Sequence, residues 1–334
     1  MNEQTLTAAS APVAGSWDLQ LNARSWAIVD RAALDPGALR IGISTLSSGA
    51  RVLDAGIGVD GGLAAGALLA EMCMGGLGQI AFVPLIIGDL AVPGVQVTTD
   101  HPAVSCMASQ YAGWAIKTDS YFAMGSGPLR AHARVERELY QKLGYAEQAS
   151  RGVLVLETRT LPDDRVAGWI SERCGLRGSQ LTLAAAPTAS LAGGVQIVAR
   201  VLETALHKMD TLGFDVTNVV SGIGTAPLAP LAKNDLRAIG RTNDCILYGG
   251  RVHFTVRADD DALADLARRL PASASGDYGT PFYEIFTRYD RDFYRIDPLL
   301  FSPAEVWLSS ASTGRTFHGG RVDAAVLRAS LFES

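Results

Sequence analysis

A strand, a glycine turn, a helix and a second apolar run follow one another early in this chain, and the same order returns past its midpoint. An extended segment at 39–46 leads into a short β-type run at 51–55, which ends in Gly56-Ile57-Gly58-Val59-Asp60-Gly61-Gly62. Residues 64–74 then read as helix, and 80–87 are apolar enough for a buried strand. Later, 180–186 reads as a strand, Gly193-Gly194 opens a long helix, Gly213 stops it, and 216–220 forms another strand. Strands alternating with helices place the chain in the α/β class. The two glycine pairs, Gly61-Gly62 and Gly193-Gly194, precede Glu71 and Glu203 by the same interval. An internal duplication would set two similar halves facing each other across a cleft, a preferred place for a small-molecule site.

The chain has 334 residues, enough for two domains at about 150 each. Residues 1–15 read as a frayed tail, 16–165 as a first domain and 166–334 as a second. The boundary lies where Asp163, Asp164 and Arg165 interrupt the apolar pattern beside Pro162. Net charge is −5, with 48% apolar and 19% charged residues, which fits a packed core and disfavours both disorder and general nucleic-acid binding. Cys73, Cys106, Cys174 and Cys245 form no C-x-x-C pair, and the five histidines form no H-x-x-x-H pair, so the residues offer no local metal motif. The start lacks the basic and apolar regions of a secretory leader, and the longest uncharged apolar stretch, 77–88, is short and broken by Pro84. A soluble, cytoplasmic protein with reduced thiols is expected.

Four features can carry chemistry. The turn Gly56-x-Gly58-x-x-Gly61 has a strand before it and a helix after it, as a cradle for an adenosyl or nicotinamide cofactor requires. The acidic residue expected about 20 residues on is missing, Asp89 coming too late. A tight turn is the simpler reading. The helix at 191–212 puts Val195, Val198, Leu202, Ala205, Leu206, Met209 and Leu212 on one face, and Gln196, Arg200, Glu203 and His207 in a stripe opposite. That stripe is either a solvated face with an Arg–Glu pair or the lining of a cleft. In a cleft, Arg200 would lower the pKa of Glu203 while desolvation raised it. Periodicity alone does not choose. The hydroxyl-glycine segments Gly125-Ser126-Gly127-Pro128, Ser221-Gly222-Ile223-Gly224-Thr225 and Ser312-Thr313-Gly314 each read as a turn or as a source of amides for an anion. The Tyr-, Asp- and Arg-rich stretch 271–320 reads as a surface wrap or as a holder for a ring.

Longer runs are more specific. Gly193-Gly194-Val195-Gln196-Ile197-Val198-Ala199-Arg200-Val201-Leu202-Glu203-Thr204-Ala205-Leu206-His207-Lys208-Met209 resembles the signature helix of the methenyltetrahydromethanopterin cyclohydrolase family. So do Thr99-Asp100-His101-Pro102-Ala103, Ala108-Ser109-Gln110-Tyr111-Ala112-Gly113-Trp114, and Tyr121-Phe122-Ala123-Met124-Gly125-Ser126-Gly127-Pro128. Asn243-Asp244-Cys245-Ile246-Leu247-Tyr248-Gly249-Gly250 and Phe301-Ser302-Pro303-Ala304 match as well, so the resemblance covers about 19–320, and more in the manner of the bacterial one-carbon-oxidation members than the archaeal ones.

The resemblance implies two α/β (α+β) domains with mixed sheets, an interdomain substrate pocket, no metal and no redox cofactor. It implies hydrolysis of a cationic methenyl bridge, with Glu203 activating water and Arg200 tuning it. Asp100, His101, Gln110, Tyr111, Ser126, Asn243, Asp244 and Tyr278 fall in matching motifs as candidate substrate-binding residues. Tyr111 stands where archaeal members carry lysine, which puts a conserved charge contact there in doubt. The expected partners are a small-molecule pterin and further copies of the chain, as a homotrimer, with no nucleic acid and no membrane. The competing enzyme reading is a nucleotide-fold protein using the Gly56–Gly61 turn.

Overall fold

The computed structural model describes residues 18–333; the tail expected at 1–15 lies outside them. Two mixed six-stranded sheets organise the chain, as an α/β fold requires. The strands are β1 (Gly42–Thr45), β2 (Arg51–Asp54), β3 (Gly78–Ile87), β4 (Leu90–Thr99), β5 (Trp114–Lys117), β6 (Phe122–Ser126), β7 (Gly152–Glu157), β8 (Leu181–Ala186), β9 (Val219–Pro227), β10 (Arg251–Val256), β11 (Glu305–Ser310) and β12 (Thr316–Gly320). The helices are α1 (Leu21–Ala32), α2 (Leu63–Cys73), α3 (Leu129–Ala133), α4 (Arg137–Leu143), α5 (Asp164–Cys174), α6 (Leu191–Val198), α7 (Val201–Thr211), α8 (Asp235–Leu247), α9 (Asp260–Arg269), α10 (Phe282–Arg288) and α11 (Ala324–Phe332).

The first sheet runs β1-β2-β8-β7-β6-β5, with β2, β8 and β7 parallel and the outer pairs antiparallel. Its central strands are apolar throughout because both faces are covered. Along β7, Val153 and Val155 pack with α1 and α2, while Leu154 and Leu156 face the core that α5 closes. The second sheet runs β12-β11-β10-β9-β4-β3, parallel only between β10 and β11. It is covered on one face: Val252, Phe254 and Val256 of β10 are buried in the largest core, and His253 between them is exposed.

The sheets draw strands alternately from the chain, and β7 and β8, on either side of residue 165, pair within the first sheet. The expected strand–helix–strand unit at 51–87 is therefore divided: β2 belongs to the first sheet, β3 to the second, and α2 joins them. The strand expected to be buried at 80–87 is an edge strand, with Phe82 44% and Ile86 66% exposed. The segment Ser221–Thr225 is not a turn but the middle of β9. Its glycines are there because a Cβ on Gly222 would meet the Phe254 ring at 2.7 Å, and one on Gly224 would meet Val201 at 2.8 Å. The strand begins only at Val219, since Asp215 accepts from Thr217 N and holds 216–218 in a 3-10 turn.

The 271–320 stretch is a packed wrap only in its first part, and its second part supplies β11 and β12 to the second sheet. In the wrap the rings of Phe282, Phe286, Phe293 and Phe301 pack together with centroids 4.5–6.0 Å apart. All four cysteines are free and buried. Among the described residues, no helix is long and apolar enough to cross a membrane, and no three His, Cys, Asp or Glu side chains group as a metal site.

Candidate active site

The long helix expected at 191–212 is two helices with a break at Ala199 and Arg200. Ser190 caps α6 by accepting from Gly193 N at 3.0 Å. Gly193 is required there because a Cβ would lie 2.0 Å from Pro187 O. At the break the Ala199 carbonyl takes its hydrogen bond from a side chain, Gln110 Nε2, at 3.0 Å. Arg200 N reaches back only three residues to Ile197 O, and Arg200 becomes the N-cap residue of α7. Glu203 thus lies in the first turn of α7, where the helix dipole favours a carboxylate.

Facing the break is a π-helix, Ala103–Gln110, closed by Tyr111 N donating to Cys106 O at 2.8 Å. Such wide turns concentrate at functional sites because they re-aim the side chains that follow. Here the turn presents Gln110 and Tyr111 to α7. Arg200 Nη1 donates to Gln110 O, and Nη2 donates to Ser126 Oγ and to Gln196 Oε1, both at 3.1 Å. Ser126, at the end of β6, also lies 3.2 Å from Cys73 Sγ. Tyr111 stacks on His207, with ring centroids 5.0 Å apart. The polar stripe of α6 and α7 therefore faces inward, against the π-helix and β6. Its solvated reading is ruled out: Gln196 is 3% and Glu203 7% exposed.

Glu203 is the exceptional member of this cluster. Its carboxylate accepts no hydrogen bond from the described residues. Burial pushes its pKa above the ordinary glutamate value, opposed in turn by the charges of Arg200, His207 and Arg130. Gln110 Oε1 is a second buried acceptor without a partner among the described residues.

The other candidates divide. Gln110, Tyr111 and Ser126 join Arg200 and Glu203. His101 leads into the π-helix, its carbonyl accepting from Ser105 N at 2.8 Å. Asp100 is exposed and borders a hollow of about 370 Å³ with Thr98, Ser221, His253 and Thr255. Neither that hollow nor a larger one of about 650 Å³ beside His132 is walled by Glu203 or Arg200. Asn243, Asp244 and Tyr278 lie apart. Asn243 Nδ2 donates to Ile239 O within α8, and Tyr278 packs on the Tyr248 ring. Asp244 accepts from Phe282 N at 2.7 Å and from Ser330 Oγ, tying α10 and α11 to α8.

Sequence reasoning missed Arg130. It lies two residues past the quoted 121–128 motif and is completely enclosed, a charge inside an apolar Leu-Arg-Ala run.

The nucleotide-cofactor alternative fails on local geometry. The amides of Gly56, Ile57 and Gly58 all donate to the Asp54 carboxylate, at 2.9, 2.7 and 2.7 Å. The cradle that would receive a phosphate is filled by the chain's own anion. Gly61, at φ +63°, packs against Ala55 O, so these glycines serve a turn.

Comparison with known proteins agrees with the motifs. The family model described as Cyclohydrolase (MCH) matches residues 20–331. Methenyltetrahydromethanopterin cyclohydrolase of Methylobacterium organophilum is 46% identical over 317 residues, 93% of this chain and 97% of that protein. The protein of that name from Methylobacillus flagellatus is 48% identical, covering 87% and 88%. The one from Methanocaldococcus jannaschii is 40% identical, covering 94% and 98%. With a family model spanning nearly the whole chain, and relatives at this identity aligned over most of their length, the chain belongs to the methenyltetrahydromethanopterin cyclohydrolase family.

Proposed function

We propose that this chain hydrolyses 5,10-methenyltetrahydromethanopterin, or its dephospho form, to 5-formyltetrahydromethanopterin, reversibly, in a pocket between its two α/β domains. The observation that carries this reading is the buried Glu203 carboxylate, unpartnered among the described residues and flanked by Arg200, His207 and Arg130.

The bridge carbon of the substrate is already electrophilic, because its amidinium shares positive charge over two nitrogens. What it requires of the protein is an oriented water and an acceptor for that water's proton. Glu203 supplies the acceptor, worth about 10²–10⁴-fold as a general base. A pKa above the ordinary carboxylate value strengthens the base, and the charges of Arg200, His207 and Arg130 oppose that rise by favouring the ionised form. Water oxygen bonds to the bridge carbon as one proton passes to Glu203. The carbon–nitrogen bond to the arylamine then breaks, its electron pair staying on that nitrogen, which takes the proton back from Glu203. The remaining hydroxyl proton leaves to solvent and formyl stays on the pterin nitrogen. Arg200, fixed by Gln110 and Ser126, orients and tunes the carboxylate.

In this reading Gln110, Tyr111, Ser126, Asp100 and His101 contact the substrate, and Asn243, Asp244 and Tyr278 support the wall behind it. The homotrimer that the resemblance implies is tested by sedimentation equilibrium.

The deciding experiment follows the ultraviolet absorbance of the methenyl chromophore with catalytic amounts of protein, on both the pterin and the folate carrier. Bleaching of the pterin substrate is expected. Glu203→Gln should bind it and leave it unchanged, and a variant turning over at nearly the wild-type rate would remove Glu203 from the chemistry.

A further inference from the structure

Arg130 is completely buried, although arginine is among the side chains least often enclosed. Its guanidinium pairs with Glu136, Nε donating to Oε1 at 3.3 Å while Nη2 lies 2.8 Å from Oε2 as an ion pair outside hydrogen-bond geometry. Nη1 donates to Ser109 O at 3.2 Å and Met107 O at 3.4 Å, two carbonyls near the end of the π-helix. The guanidinium sits over the Tyr111 ring, 5.0 Å from its centroid, and Tyr111 in turn stacks on His207, one turn beyond Glu203. Arg200 takes the next carbonyl, Gln110 O. Two arginines from separate elements therefore grip the end of the π-helix, and a chain of contacts runs from Glu136 through Arg130 and Tyr111 to the α7 stripe.

We propose that Arg130 is a positioning residue for this site: its fork fixes Tyr111 against His207, its charge acts on Glu203, and Glu136 sets how much of that charge is felt. The proposal rests on the reading of Glu203 as the base. The groups that face Glu203 are Arg200 and His207 from its own stripe, Arg130 from α3 and the Cys106 thiol from the π-helix. Burial pushes that thiol up to about 12, so it stays neutral at working pH. Arg200, His207 and Arg130 oppose the effect of burial on Glu203. An arginine that only braced the fold would leave Glu203's titration alone; one that acts by charge moves it, and neutralising its counter-ion moves it the other way.

The test titrates the Glu203 carboxyl by its infrared C=O band, assigned by the band's loss in Glu203→Gln, which needs no turnover. Arg130→Met should raise the proton affinity of Glu203 about tenfold, and Glu136→Gln should lower it. Arg130→Lys keeps the charge and the wild-type titration but loses several-fold in kcat, since an ammonium cannot close the same fork. Unmoved titrations in Arg130→Met and Glu136→Gln, shifts of the same sign, or a lysine variant with wild-type kcat would overturn the proposal. Should Arg130→Met not fold, the sign in Glu136→Gln decides alone. A band that shifts as expected while the acid limb of kcat/KM stays put supports Arg130's role and instead removes Glu203 as the base.

Discussion

Glu203 and Asp244 are both buried carboxyl groups with pKa values raised by desolvation, yet their surroundings differ in kind. Asp244 accepts from Phe282 N and Ser330 Oγ and joins three helices. Glu203 accepts nothing from the described residues and is approached only by the charges of Arg200, His207 and Arg130. Burial and a shifted pKa are thus shared by a structural acid and by the proposed catalytic one. What separates them is whether the oxygens already have partners, because each partner occupies an acceptor site and fixes the oxygen in a structural role that a water would otherwise compete for.

The largest effect that can break this contrast is on turnover. Glu203→Gln should lose about 10²–10⁴-fold in kcat, while Asp244→Asn, which keeps an acceptor for Phe282 N, should stay within a few-fold. Equal losses in steady-state kinetics would erase the distinction. Arg200→Ala comes next. It removes the charge that most opposes burial at Glu203 and the clasp on Gln110 and Ser126, so kcat should fall about 10–100-fold, in line with charge-assisted hydrogen bonds of about 1.5–3 kcal/mol. The acid limb of kcat/KM should also move to higher pH, because a carboxylate that loses a neighbouring cation holds its proton longer. An unmoved limb would leave Arg200 with orientation alone.

The comparison sharpens on stability. Asp244→Ala strands the Phe282 amide and the Asp244 side of the Ser330 hydroxyl, at about 1–3 kcal/mol for each group left unsatisfied, whereas Asp244→Asn should cost less. With its pKa raised to about 7 from an ordinary 3.8, the folded state holds a proton there that the unfolded state has released. Wild-type stability should therefore decline as pH rises through that interval, and Asp244→Asn should flatten the decline in urea titrations.

Much of the fold was legible in the sequence, while the contrast between Glu203 and Asp244 was not, for physical reasons. The α/β class, α2, β8 and the glycine at the end of α7 followed from periodicity and turn chemistry. The break between α6 and α7 did not, because Ala199 and Arg200 are good helix formers and the kink is set by Gln110 from a segment 90 residues earlier in the chain. The stripe looked solvated because helix statistics see four polar side chains and not the π-helix and β6 that receive them. Arg130 escaped for the same reason: its partners Glu136, Met107 and Ser109 come from separate segments. Asp54 filling the glycine turn was equally hidden, since a nest of amides looks alike whether its anion is a ligand or the chain's own side chain.

The smallest effect bears most directly on whether Glu203 is held ready at a cost to the fold. Its folded-state pKa lies above the ordinary glutamate value, so between those two values the folded protein binds a proton the unfolded chain lacks. Wild-type stability falls as pH rises across that window and stays lower beyond it. Glutamine carries no charge to desolvate, so Glu203→Gln should match wild type in Tm below the ordinary glutamate pKa. It should overtake wild type through the window and hold a constant lead above it. The lead is small because Arg200, His207 and Arg130 already offset part of the desolvation. A Glu203→Gln protein less stable than wild type at every pH would mean that the carboxylate is satisfied after all, and Glu203 would then join Asp244 as a structural acid.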